Sequence, residues 1–192
     1  DPDNSIVTHD AGAPRDTIVP FYIATSPHSY IGWGKTTHLG FGIPLMIGAK
    51  MAAPEKFCLN MMGDGAFGMS GTDIETAVRS GAAITTVLLN NSAMATYSGP
   101  TQGTIGAEAR EQYGVGTMQG DYAKIAEGMG AVGITVKKAA ELAPALKEAQ
   151  RLNAIRCACK CRGSAVKIPA PMSPTLHRGP DRLFDVSAFG IN

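Results

Sequence analysis

Two short polar motifs, each arriving at the end of an apolar run, constrain this chain more than anything else in it. Gly63-Asp64-Gly65 follows F-C-L-N-M-M at 57–62, and Asn90-Asn91 follows I-T-T-V-L-L at 84–89, with twenty-four residues between triplet and pair. Apolar runs that short, bounded by glycine or polar turns, read as buried strands. Residues 70–80 carry a helical pattern. Ser70 and Asp73 predict a capping box, and Ile74, Ala77 and Val78 an inward stripe. Gly81 predicts the stop, and Glu75 with Arg79 a surface pair. Strand, helix and parallel strand would put both motifs at the carboxyl edge of an open sheet, where such folds bind ligands. The expected class is α/β, a doubly wound, mostly parallel sheet with helices on both faces.

The chemistry on offer is specific. Asp64 supplies a hard anionic oxygen, Asn91 a neutral amide oxygen, and a loop carbonyl past Asn91 a third ligand. Mg²⁺ takes octahedral oxygen ligands and is commonly held by few protein groups plus phosphate. Gly63 and Gly65 let the backbone approach an anion. The N–H groups of Gly65 and Ala66, with a helix start expected near Gly71, direct positive charge to the same place. The pattern fits a Mg²⁺-bridged diphosphate. The competing reading is a tight turn and an unrelated asparagine pair. Two motifs at this spacing, each after a buried strand, weigh against it.

The triplet and pair at this separation resemble the thiamine-diphosphate motif. G-F-G-I-P-L-M-I-G-A-K at 40–50 resembles the acetolactate synthase branch of that superfamily. The resemblance covers about residues 4–153 and corresponds to the diphosphate-binding domain, the last third of a complete enzyme. It implies thiamine diphosphate and Mg²⁺ as cofactors. It implies Asp64, Asn91 and the backbone carbonyl of Ala93 as metal ligands, with Gly12, Gly63, Gly65 and Ala66 close to the diphosphate. Leu39 matches the position of a bulky wedge that bends the cofactor, and the carbonyl of Thr37 would accept from its aminopyrimidine. The physical logic is preorganisation, because the cofactor's own base must sit against its own acid.

The resemblance implies decarboxylation of a 2-oxo acid, followed by carboligation or release of an aldehyde. It also implies a pyrimidine-binding domain as partner, supplying an activating Glu that no segment here provides, and a homo-oligomer. Two departures stand out. Gly12 is followed by Ala13-Pro14, where related synthases often carry Gln or His. A-T-Y-S-G-P at 95–100 replaces the usual Gly-Met-Val stretch and later Trp. The second departure keeps a non-ligating decarboxylase or a carbon–carbon hydrolase open. A third reading, from another class, is a non-catalytic cofactor- or metal-binding module.

The remaining segments fill in the fold. Residues 5–8 read as a strand, and 43–51 as a helix ended by Pro54. Residues 121–129 read as a helix with Ile125 and Met129 inward, 132–136 as a strand, and 139–152 as an amphipathic helix shortened by Pro144. Residues 21–35 are aromatic and aperiodic. His28, Tyr30 and Trp33 are candidate pocket walls or loop anchors, Tyr97 is another pocket candidate, and His38 is a candidate for proton transfer.

Composition narrows the partners. A net charge of +1 leaves no nucleic-acid footprint, and no apolar run in the 192 residues is long enough for a bilayer. Without a leader pattern the expected location is cytoplasmic. The start at Asp1 reads as an internal cut. Cys58 reads as a buried strand residue, whereas Cys157, Cys159 and Cys161 alternate in C-A-C-K-C, which is not the usual zinc spacing. The expected cofactor domain is 1–153. Beyond it, residues 154–192 turn basic and rich in Cys and Pro, read as a shifted frame, and are expected to leave the sheet one strand short.

Overall fold

The computed structural model describes residues 1–33, 36, 38–92, 112–113, 118–154, 163–167 and 185–191, the last two stretches as backbone. The chain begins with a 3-10 turn, Pro2–Asn4, capped by the Asp1 side chain. It then alternates: β1 Ser5–His9, α1 Ala13–Ile18, β2 Tyr30–Ile31, α2 Gly42–Ala52, β3 Phe57–Gly63, α3 Asp64–Ser70 and α4 Asp73–Ser80. There follow β4 Ile84–Asn90, α5 Tyr122–Gly128, β5 Ala131–Val136, α6 Ala139–Ala154, β6 Gly163–Lys167 and β7 Asp185–Ile191.

The strands form one sheet in the order β2-β1-β3-β4-β6-β5-β7. The first six run parallel, and β7 is antiparallel to its partners. A parallel sheet covered on both sides needs strands apolar on both faces. Central β4 meets that demand, being buried at every position. On one face Cys58, Met62, Ile84 and Leu88 pack with Ile43 and Met46 of α2, Ile74 and Ala77 of α4, and Tyr122 and Ala126 of α5. On the other, Val87, Leu89 and Val136 pack with Ala145 and Ala149 of α6. Each fully buried large apolar side chain contributes about 1.5–3 kcal/mol. The doubly wound α/β class expected from the sequence is the class observed.

Four details differ from expectation. The helix after Gly63 begins at Asp64 rather than near Gly71, and breaks into α3 and α4 around Gly71-Thr72. Ser70 therefore ends α3 instead of capping α4, whose N-cap is Thr72. Ile125 is 40% exposed, because the inward stripe of α5 runs through Tyr122, Ala123 and Ala126 and leaves Ile125 on its rim. Pro144 lies inside α6 without shortening it, and the helix continues to Ala154. Beyond Asn153 the sheet is not a strand short. The backbone of β6 lies parallel between β4 and β5, pairing Val166 with both Val87 and Ile134. The alternating Cys cluster lies outside the described residues.

Candidate functional site

The site is built from two adjacent strand ends. In the β3–β4 ladder Gly63 lies opposite Leu89, so Asp64 and the asparagine pair leave the sheet side by side. Gly63 is extended and α3 starts at the next residue, which places the Asp64 carboxylate in a first helical turn. A negative group there is favoured by the unsatisfied N–H groups and the helix dipole. Asp64 is 2% exposed and accepts from the Gly65 N–H at 3.1 Å. Gly65 and Ala66 are buried in the same turn.

The two asparagines divide the work. Asn90 is buried, and its Oδ1 accepts from the N–H of Ser92 at 3.0 Å and from its hydroxyl at 3.4 Å. That Asx turn holds Ser92 at φ 56° and leaves half-buried Asn91 at the apex. The carbonyl of Ser92 in turn accepts from Met118 N–H at 2.8 Å, which ties the residues leading into α5 to this turn. Ala93, Thr37 and Tyr97 lie outside the described residues.

A second strand end joins from the side. β1 runs beside β3, and the chain leaves it through buried His9, Asp10 and Ala11. Gly12, at φ 83°, precedes α1, and Ala13-Pro14 form the first turn of that helix. The Asp10 carboxylate accepts from the N–H groups of Phe41 at 3.1 Å and Gly42 at 3.2 Å, so β1 caps α2. Burial raises the Asp10 carboxyl above the ordinary range, and the N–H groups of Phe41, Gly42 and Gly40 work against that rise.

Leu39 is half-buried against the main core, three residues before α2. Exposed His38 sets its ring edge-on to Phe41 at 5.6 Å. The segment 38–41 is thus next to the Asp64 helix, a proximity that Gly40 makes possible. At φ 81° a Cβ there would stand 2.9 Å from that of Met69 in α3. Trp33 is a loop anchor, donating from Nε1 to the carbonyl of His9 at 2.7 Å and packing on Phe41 at 4.4 Å. Tyr30 stacks on Tyr22, and His28 is exposed.

Two residues escaped the sequence reading. Asp10 was hidden in a turn, with no signal that α2 would come back to it. Tyr122 is buried against Phe67, and burial together with the charge of Asp64 pushes its phenol up to about 12. The aromatic directly after the helix-capping Asp121 was the available clue. Cys58 is fully buried, its thiol pushed up to about 11, as expected of an inert core residue.

The donor set suits a hard divalent cation and a diphosphate: one carboxylate, one amide, and N–H groups in a helical turn. Among the described residues no three His, Cys, Asp or Glu cluster as a metal site. A set made of one carboxylate, one amide and a carbonyl is not of that kind. Among them, too, no helix is long and apolar enough to cross a membrane.

With this geometry in place, comparison with known proteins assigns the class. Residues 10–158 match the family described as thiamine pyrophosphate enzyme, C-terminal TPP binding domain, and the chain belongs to that family. It is 32% identical over 143 residues to the mitochondrial acetolactate synthase catalytic subunit of Saccharomyces cerevisiae, covering 74% of this chain and 20% of that protein. It is 34% identical over 149 residues to the putative thiamine pyrophosphate-containing protein YdaP of Bacillus subtilis, covering 77% and 25%. A thiamine diphosphate-dependent 4-hydroxybenzoylformate decarboxylase from Rhodococcus jostii shares the fold, with TM-score 0.67, 24% identity and coverage of 79% and 28%. The chain thus spans a fifth to a quarter of the length of these two curated relatives.

Proposed function

We propose that this chain is the Mg²⁺-dependent, diphosphate-binding half of a thiamine-diphosphate enzyme acting on a 2-oxo acid. The observation that supports the reading is the β3–β4 register, in which Gly63 lies opposite Leu89 so that Asp64 and the asparagine pair follow adjacent strand ends, with α3 opening at Asp64. Asp64, Asn91 and the carbonyl of Ala93 would hold Mg²⁺. Gly63, Gly65, Ala66 and Gly12 would line the diphosphate, and Leu39 and Thr37 would meet the rings. His38 stands beside them as a candidate for moving a proton. Residues 1–153 carry every one of these groups.

When bound, thiamine diphosphate supplies the electron sink for decarboxylation. This chain's part is to bind, orient and neutralise. The activating Glu would come from a pyrimidine-binding domain, in a longer chain or a separate subunit, within a homo-oligomer. Likeness to acetolactate synthase at 32% identity supports decarboxylation followed by carboligation. The departure at 95–100 keeps a non-ligating decarboxylase or a carbon–carbon hydrolase of the same superfamily as second reading.

The test is a calorimetric titration of the chain with thiamine diphosphate, with and without Mg²⁺. Binding that requires Mg²⁺ and disappears in Asp64→Ala is the expected result. Tight zinc with no thiamine diphosphate binding would instead make the chain a metal module.

A further inference from the structure

We propose that Asp10 is a positioning residue for the recognition of the cofactor's rings, because it fixes the segment 38–41 from which Leu39 projects. This rests on the proposed function, in which Leu39 meets the rings and α3 meets the diphosphate.

Four ties converge on those residues. Asp10 is fully buried, and its own N–H donates to Met61 at 2.7 Å, so the carboxylate stands on the β1–β3 edge rather than in a loose turn. From there one oxygen takes the Phe41 N–H and the other the Gly42 N–H. Ala11 N–H donates to the His38 carbonyl at 3.4 Å, gripping the other end of the segment. Trp33 bridges the same two parts, donating to His9 and packing edge-on against Phe41. On the opposite side Gly40 lies against Ala66, Met69 and Ser70 of α3. Leu39 sits between these ties, and its place relative to the Asp64 helix is set by backbone bonds that converge on Asp10. Hydrogen bonds to an ionised acceptor are roughly twice as strong as neutral ones. Replacing the carboxylate by an amide keeps its shape and leaves one of the two N–H groups facing a donor.

The experiment uses the full chain as Asp10→Asn, titrated with two probes in Mg²⁺: thiamine diphosphate, which carries the rings, and inorganic pyrophosphate, which does not. Trp33 is the sole tryptophan, so its emission reports the segment directly, with no ligand present. The expected result is altered Trp33 emission with cooperative unfolding retained. Thiamine diphosphate should bind about tenfold more weakly, and pyrophosphate within about twofold of the parent chain. Unchanged Trp33 emission, or an equal loss for both probes, overturns the proposal. If the parent chain binds neither probe, the proposed function fails, and the Trp33 emission still decides whether Asp10 holds the segment. Gly40→Ala loosens the same segment from the α3 side. It should give the same discrimination between probes, and settles the matter should Asp10→Asn not fold.

Discussion

Two aspartates end neighbouring parallel strands at the same sheet edge, and the fold uses them in opposite ways. Asp10 follows β1 and is 0% exposed; Asp64 follows β3 and is 2% exposed. Burial does not tell them apart. The reach of their hydrogen bonds does. The carboxylate of Asp10 binds N–H groups 31 and 32 residues away and welds a strand to the start of a helix. Asp64 accepts from the N–H of the very next residue, inside the helix that it opens. A carboxylate whose bonds join distant elements holds the architecture. The Gly65 N–H holds the Asp64 carboxylate in the opening turn of α3, at the strand end next to β4, where a ligand would meet it.

The comparison can be broken most forcefully at the helix that Asp10 caps. A Cβ on Gly42 would collide with Oδ1 of fully buried Asn60. Gly42→Ala should therefore cost about 3 kcal/mol, as overpacking into a rigid neighbour does, read as a lowered urea midpoint. Trimming the neighbour in Gly42→Ala/Asn60→Ala should recover part of the loss.

Next in size is the direct contrast. Asp10→Ala leaves the N–H groups of Phe41 and buried Gly42 without their acceptor and should cost about 2 kcal/mol. Asp64→Ala should cost less stability than Asp10→Ala while removing Mg²⁺-dependent binding. The reverse order in denaturant titration would show that the reach of the bonds is the wrong criterion.

A smaller effect is the pH dependence. Because burial raises the Asp10 carboxyl, the folded chain holds its proton to higher pH than the unfolded chain does. In the window just above the ordinary carboxylate value, stability should fall as pH rises. Neighbouring His9 acts against the shift, and exposed Glu141 and Glu148, both lowered, tilt the whole protein the other way. The informative quantity is the parent-minus-Asp10→Asn difference in unfolding free energy, which should decline as pH rises above the ordinary carboxylate value. A flat difference curve would mean that the desolvation of Asp10 is fully offset by its N–H partners.

The smallest expected change lies remote from both aspartates. The Glu75–Arg79 pair, at 3.1 Å, is exposed on both sides. Arg79→Ala should cost under about 0.5 kcal/mol. That value calibrates what a surface substitution does in this chain.

Most of the sheet was legible because its signals are local. Short apolar runs bounded by Gly63 and Asn90, the left-handed Gly81 at φ 73° and the α6 stripe through Ala145 and Ala149 each announce themselves within a few residues. The shared edge at which β3 and β4 end was legible for a related reason: parallel neighbours joined by one helical segment must end on the same edge. What escaped is non-local. Asp10 gives no sign in its own sequence that Phe41 and Gly42 will return to it. Ser70 and Asp73 satisfy a capping-box pattern, yet an earlier helix, started by the turn at Gly63, had already claimed Ser70. Beyond Asn153 the basic, Cys-rich composition masked a five-residue strand, Gly163–Lys167, whose pairing partners lie far upstream.

That late strand has a consequence for how the chain is made. β6 lies between β4 and β5 but leaves the ribosome after both. Synthesis delivers the chain N-terminus first, so until β6 emerges β4 and β5 lack the strand that lies between them. Unpaired edges of that kind recruit other strands. A nascent chain stalled before Gly163 is therefore especially exposed to wrong pairing, and the emergence of β6 is what fills the gap between β4 and β5.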